Sequence, residues 1–184
     1  MTPVGVVRTA LAVLVRHRRP AYLAALLATA VNTVPDVARQ LFVHDSPSVA
    51  AALLVDVVGF GTALVAQLWV TGAVTALPDG GPLALRGALG RGTGVALRAV
   101  RTAPAAVALG VVLGGAVSAL LTLPPSIAAL GVDGVLGPLD SPGAGAFAVA
   151  TVSDVVASVV TLPFLAIVLV IAAGRRLARS PGGQ

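Results

Sequence analysis

The chain has 184 residues, of which 57% are hydrophobic and only 10% charged, with a mean hydropathy of +1.00. A soluble domain carries about 25% charged residues, so the composition excludes an ordinary water-soluble globule and points to a membrane protein. A pI near 11.5 would suggest nucleic acid in a soluble chain. Here the arginines cluster at the flanks of apolar runs, which reads as membrane topology and not as a nucleic-acid partner.

All twelve basic residues are Arg and all seven acidic residues are Asp. With abundant Ala, Val and Gly, this suggests a GC-rich bacterial coding bias and carries no functional weight. No cysteine is present, which removes disulfides, thiolate metal sites and cysteine nucleophiles and leaves the redox compartment open.

In chain order, a basic segment with Arg8, Arg16, Arg18 and Arg19 precedes a first apolar stretch at 20–43. A second runs 49–77, a third 104–123 and a fourth 145–173. Each reaches the ~20 residues needed to cross ~30 Å of hydrocarbon. The first is weakest, because its uninterrupted apolar core is short. The second and fourth exceed the need, so they must tilt or project. Arg86, Arg91, Arg98 and Arg101 lie between the second and third stretches, and Arg175, Arg176 and Arg179 follow the fourth. Four spans with both termini cytoplasmic put all of these on one side and only Arg39 on the other, as the positive-inside rule requires. The expected address is the cell (inner) membrane. The connection containing Asp133 and Asp140, and the pair His44-Asp45, then fall outside. An alternative is that the N-terminal basic and apolar segment is a cleaved export signal. Against it, Arg18-Arg19 run straight into Pro20, and the segment has a counterpart later in the chain.

That counterpart is part of a duplication. Asp45-Ser46-Pro47 and Asp140-Ser141-Pro142 each stand before a long apolar run, and Asp56-Val57-Val58 and Asp154-Val155-Val156 recur inside those runs. The unit reads as basic segment, span, outer loop, span, with repeats at 1–79 and 80–174 and a basic tail at 175–184. The expected fold is therefore an all-α integral membrane bundle of four spans, built from two similar helical hairpins in parallel orientation, each preceded by a basic interfacial segment. Two like-oriented repeats imply a pseudo-twofold axis along the membrane normal.

In the second basic segment Arg86, Arg91, Arg98 and Arg101 fall on one helix side and Leu85, Leu89, Ala96 and Val100 on the other. Its glycines each cost about 1 kcal/mol relative to Ala, so a break near Gly90–Gly94 is expected. In the first segment Val4, Leu11 and Val15 intrude on the arginine side. Arg16, Arg18, Arg19, Arg91, Arg98 and Arg101 are the expected contacts for anionic lipid headgroups, at about 1 kcal/mol each near the surface; the alternative is that they set topology alone.

The third span carries Ala106, Gly110, Gly114 and Ser118 every four residues, a small-residue ladder that admits a close helix neighbour. Packing within the four spans or between copies would use it. In the second span Asp56 heads a stripe with Gly59, Ala63 and Gln67; in the fourth, Asp154 heads Ala157, Thr161 and Leu165. Both stripes are expected to face protein. An Asp at mid-bilayer costs about 2.5–3.5 kcal/mol. Counting from the inner ends at ~1.5 Å per residue places both near the outer boundary, ~30 Å away. Asn32, Asp36, Arg39 and Gln40 approach the same level from the first span. Asn32, Asp36, Arg39, Asp56, Gln67 and Asp154 thus form a candidate polar intramembrane site for a cation, an amine-bearing solute or a proton relay. The alternative pairs Asp36 or Asp56 with Arg39 for structure alone.

Gly90–Gly94 lacks the Lys-Ser/Thr of a phosphate loop and follows no strand, and His44 beside Asp45 could ligate a metal, although two adjacent residues are a weak signal and an exposed loop histidine is the default. No metalloprotease, serine-hydrolase, prenyl-transfer or phosphotransferase pattern is present. No cofactor, metal or catalytic residue is expected. The favoured function is a non-catalytic component that packs with itself or with a partner membrane protein; the alternative is a small transporter or transporter subunit using the intramembrane Asp residues.

Overall fold

The first helix starts where the sequence offers a cap. In the computed structural model, which describes residues 2–42, 49–136 and 144–174, the Thr2 side chain accepts the Gly5 N–H at 3.1 Å and Pro3 occupies the first turn of α1 (Pro3–Arg16). Both are standard ways to satisfy or remove unpaired N–H groups at a helix start. α1 ends at His17, whose N–H bonds Val13 O at 2.9 Å, and α2 (Arg18–Phe42) follows at once.

α3 (Val49–Ala73) runs back antiparallel to α2. Ala24 packs with Ala73 at one end, while Val31 and Asn32 face Val58 and Thr62 further along. A turn and a short 3-10 segment, Leu77–Asp79, close on Gly80, a position whose left-handed φ of 77° suits a residue without a Cβ. α4 (Ala88–Thr102), α5 (Pro104–Leu136) and α6 (Ala144–Ala173) complete the chain. All elements among the described residues are helical.

α6 is the hub, packing against each of the other five helices. The large buried side chains concentrate at one end of the bundle. Val6 and Leu14 of α1, Val70 of α3, Leu77 of the 3-10 segment, Ala99 of α4, and Ile167 and Val168 near the end of α6 form one core. We call this the inner end. Toward the other end, large apolar side chains such as Phe60, Leu120 and Val152 are exposed.

Among the described residues, three helices are long and apolar enough to cross a membrane, at Val57–Asp79, Pro104–Ala129 and Gly145–Ala173. The chain is therefore a membrane protein. Of the α5 stretch 17% is buried and of the α6 stretch 39%, which makes α5 peripheral and α6 central.

Two local expectations are corrected. α4 runs without a break through Gly90–Gly94, starting at Ala88 after Gly87 (φ 62°), so Leu85 and Arg86 belong to the preceding turn and not to the helix. The reason is tertiary: Gly92 is buried against α3, and packing outweighs the propensity cost. Beyond residue 123, where a loop was expected, the chain stays helical past Pro124 and Pro125 and breaks instead at Gly131 (φ 74°). A proline disturbs the turn before it but leaves the residues after it free to continue. The two Asp-Ser-Pro motifs, His44 and the arginines of the tail lie outside the described residues.

Candidate functional site

The inner end is held by a backbone-to-backbone crossing. A methyl placed on Gly72 of α3 would lie 1.7 Å from Ala88 O, and one on Gly92 of α4 would lie 1.7 Å from Leu68 O. The two helices therefore touch main chain to main chain at these glycines, a contact that no larger residue permits. On α4's other flank the Thr102 hydroxyl donates to Arg98 O at 2.8 Å and lies 3.2 Å from Ala172 O of α6. The Arg91 guanidinium donates to the carbonyls of Ala84 and Arg86, while the Ala84 N–H bonds Ala73 O at 2.9 Å. Arg91 thus fixes the turn ahead of its own helix.

α4 has three faces. At about 100° per residue, Ala88, Gly92 and Ala99 form a buried arc, Leu89, Leu97 and Val100 an exposed apolar arc, and Arg91, Arg98 and Arg101 an exposed basic arc. α1 is divided the same way. Val6, Val7, Ala10 and Leu14 are buried; Val4, Leu11 and Val15 are exposed and apolar; Arg8, Ala12 and Arg16 are exposed on the remaining side. The arcs follow in the same rotational order in both helices. Val4, Leu11 and Val15, which blur the amphipathic pattern on a two-sided reading, form the middle arc of three. Arg18 and Arg19, at the start of α2, are exposed as well.

A cavity of about 810 Å³ opens between α2 and α3. Val31 and Asn32 line one side, Gly61, Ala66 and Trp69 the other, and Leu85 stands at its inner end. Its one nearby hydroxyl, Thr62, donates to Gly59 O at 2.9 Å. No acidic side chain among the described residues lines it.

The candidate polar residues do not gather there. Asn32 reaches the cavity wall, yet its Oδ1 is buried without a hydrogen-bond partner, as is the Thr29 hydroxyl oxygen one turn earlier. Gln67 turns the other way, its amide 3.4 Å from Leu162 O of α6 and 3.3 Å from Thr71 Oγ1. Leu162 is followed by Pro163, buried inside α6. Asp154 is exposed on α6, although its neighbours Ser153 and Ala157 are buried; the facing expected for its stripe fails at the stripe's head, because α6 leaves the packed core toward that end. The side chains of Asp36, Arg39 and Asp56 lie outside the described residues.

The small-residue ladder faces α6 at its lower rungs. Ala106 is buried, and a methyl on Gly110 would sit 2.9 Å from Val168 Cγ1. At Gly114 a methyl would meet nothing, and Ser118 is half-buried. Gly114 is nevertheless buried, as Gly110 is. Sequence reading missed Gly72, Gly92, Trp69 and Leu85. The available signals were two glycines in apolar surroundings and a single Trp within a span.

Comparison with protein-family models, with curated proteins and with solved structures found no match.

Proposed function

We propose that the chain is a non-catalytic, four-span component of the cell membrane that packs with itself or with a partner membrane protein, its termini and arginine-rich helices on the cytoplasmic side. One observation carries the choice: among the described residues the wide cavity is largely apolar, with Asn32 in its wall but neither Gln67 nor Asp154. A solute or proton path would need polar groups facing a common space.

The threading is supported by α1 and α4 contributing to the same core at the inner end of α6. For both to lie on one membrane face, α2 must cross between α1 and α3, despite its polar residues. Two parallel repeats are supported by the order of basic helix, long helix, long helix occurring twice, and by α1 packing on α6 as α4 packs on α3. The three-arc division suits helices lying in the interface, with one side on protein, one in acyl chains and one among headgroups and water. Arg16, Arg18, Arg19, Arg98 and Arg101 then meet anionic headgroups, whereas Arg91 also serves its own turn. Neither cofactor nor metal enters this reading.

Energy transfer between labelled copies in vesicles, measured as the lipid-to-protein ratio is raised, tests self-association. Vesicles loaded with a pH-sensitive dye test the opposing idea. A proton or cation flux that is lost in an Asp56→Asn/Asp154→Asn double variant of normal helical content would replace this reading with a transporter.

A further inference from the structure

We propose that the cavity between α2 and α3 is a binding site for one anionic phospholipid of the arginine-side leaflet, an acyl chain lying in the slot and the headgroup at Arg86. This rests on the chain being embedded in a membrane, and not on its being non-catalytic.

The slot has the dimensions of a single leaflet. From Val58 to Trp69, both in its wall, α3 advances about 16 Å at ~1.5 Å per residue. Half of a ~30 Å hydrocarbon layer is ~15 Å. The walls are apolar apart from Asn32 and the Thr62 hydroxyl, and Thr62 already donates to its own helix. Apart from the Asn32 amide, an apolar recess of this kind takes hydrocarbon without leaving polar groups unpaired.

The mouth is charged and preformed. Leu85 lines the inner end of the slot, and the next residue, Arg86, is exposed. Arg91 holds the segment from both sides through Ala84 O and Arg86 O, and Ala84 is tied back to Ala73 of α3. Apolar slot and cationic mouth are thus joined in one short, internally bonded segment. An apolar transmembrane helix fits the slot but offers nothing to the guanidinium groups at its mouth. A phosphate on an acyl glycerol satisfies both ends.

Trp69 is the chain's single tryptophan and lines the slot, so its fluorescence reports the occupant. The full chain is reconstituted in phosphatidylcholine vesicles containing a rising fraction of bromine-labelled lipid, either phosphatidylglycerol or phosphatidylcholine. Half-maximal quenching should come at about a fivefold lower fraction of the anionic lipid, the ratio equivalent to ~1 kcal/mol for one arginine. Arg86→Gln, at an exposed position, should bring the two curves together. Gly61→Leu should remove most quenching, since a Cβ at Gly61 meets nothing within 4 Å and the leucine projects into the slot; circular dichroism checks its helical content. Identical curves for the two lipids in the unsubstituted chain would overturn the proposal by showing annular contact only. So would an absence of quenching by either lipid combined with disulfide formation between copies of a Val65→Cys variant, which would place a second copy in the slot.

Discussion

The inner and outer ends of this bundle are made from nearly the same amino acids but hold together differently. At the inner end, backbones come into contact at Gly72 and Gly92, and Ile167, Val168 and Leu77 are almost fully buried. At the outer end the same residue types are open, and Leu120 and Phe60 are 74% exposed. Within a bilayer, apolar content does not distinguish the two, because lipid tails are as apolar as leucine. Fit does. The short amphipathic helices α1 and α4 supply it by closing one end across the long helices.

The contrast can be broken by substitution, and the largest expected effect lies in the core. Ile167→Ala should destabilise the bundle by about 2–3 kcal/mol, arising from the cavity left behind and not from transfer to water. Leu120→Ala should change stability by less than about 0.5 kcal/mol. Unfolding of both variants from bicelles by a denaturing detergent, followed by circular dichroism, measures the difference, and equal losses would show that the ends are not distinct. Next comes the helix crossing. Gly92→Ala forces a methyl into Leu68 O and should cost about 1–3 kcal/mol, whereas Gly59→Ala meets open space and should gain up to about 1 kcal/mol from helix propensity. A favourable shift in both would mean that α3 and α4 do not touch.

Smaller effects sharpen the middle of the molecule. The Thr29 hydroxyl oxygen is buried without a partner, so Thr29→Val should be neutral or stabilising by about 1 kcal/mol in the same unfolding assay. A clear loss would reveal a partner for that hydroxyl. Gln67→Leu should cost about 0.6 kcal/mol, the usual worth of a hydrogen bond between helices in a membrane. Pairing it with Pro163→Ala in a double-mutant cycle tests whether the amide is coupled to the proline-containing turn of α6.

Spans and basic segments were legible because they depend on local composition: apolar runs at 104–123 and 145–173 and arginines at their flanks declare themselves without knowledge of neighbours. The N-terminal start at Thr2-Pro3 is likewise a local signal. What was not legible depended on a partner. Gly92 reads as a helix breaker until Leu68 O is known to lie against it. The same holds for Asp154, which counting along one helix cannot orient; it is exposed although Ser153 and Ala157 beside it are buried. Likewise Asn32 and Gln67, both polar and at comparable depths, point to different neighbours, α3 across the cavity and α6 at Leu162.

The threading itself is most directly tested by sidedness. The chain has no cysteine, so Ala12→Cys in α1, Arg98→Cys in α4 and Val132→Cys beyond the break in α5, all at exposed positions, can be labelled singly with a membrane-impermeant maleimide in sealed, oriented vesicles. Residues 12 and 98 should react from one face and residue 132 from the other. Reaction of residues 12 and 132 from the same face, with 98 opposite, would mean that α2 does not cross and that α1 and α4 do not share one end of the bundle.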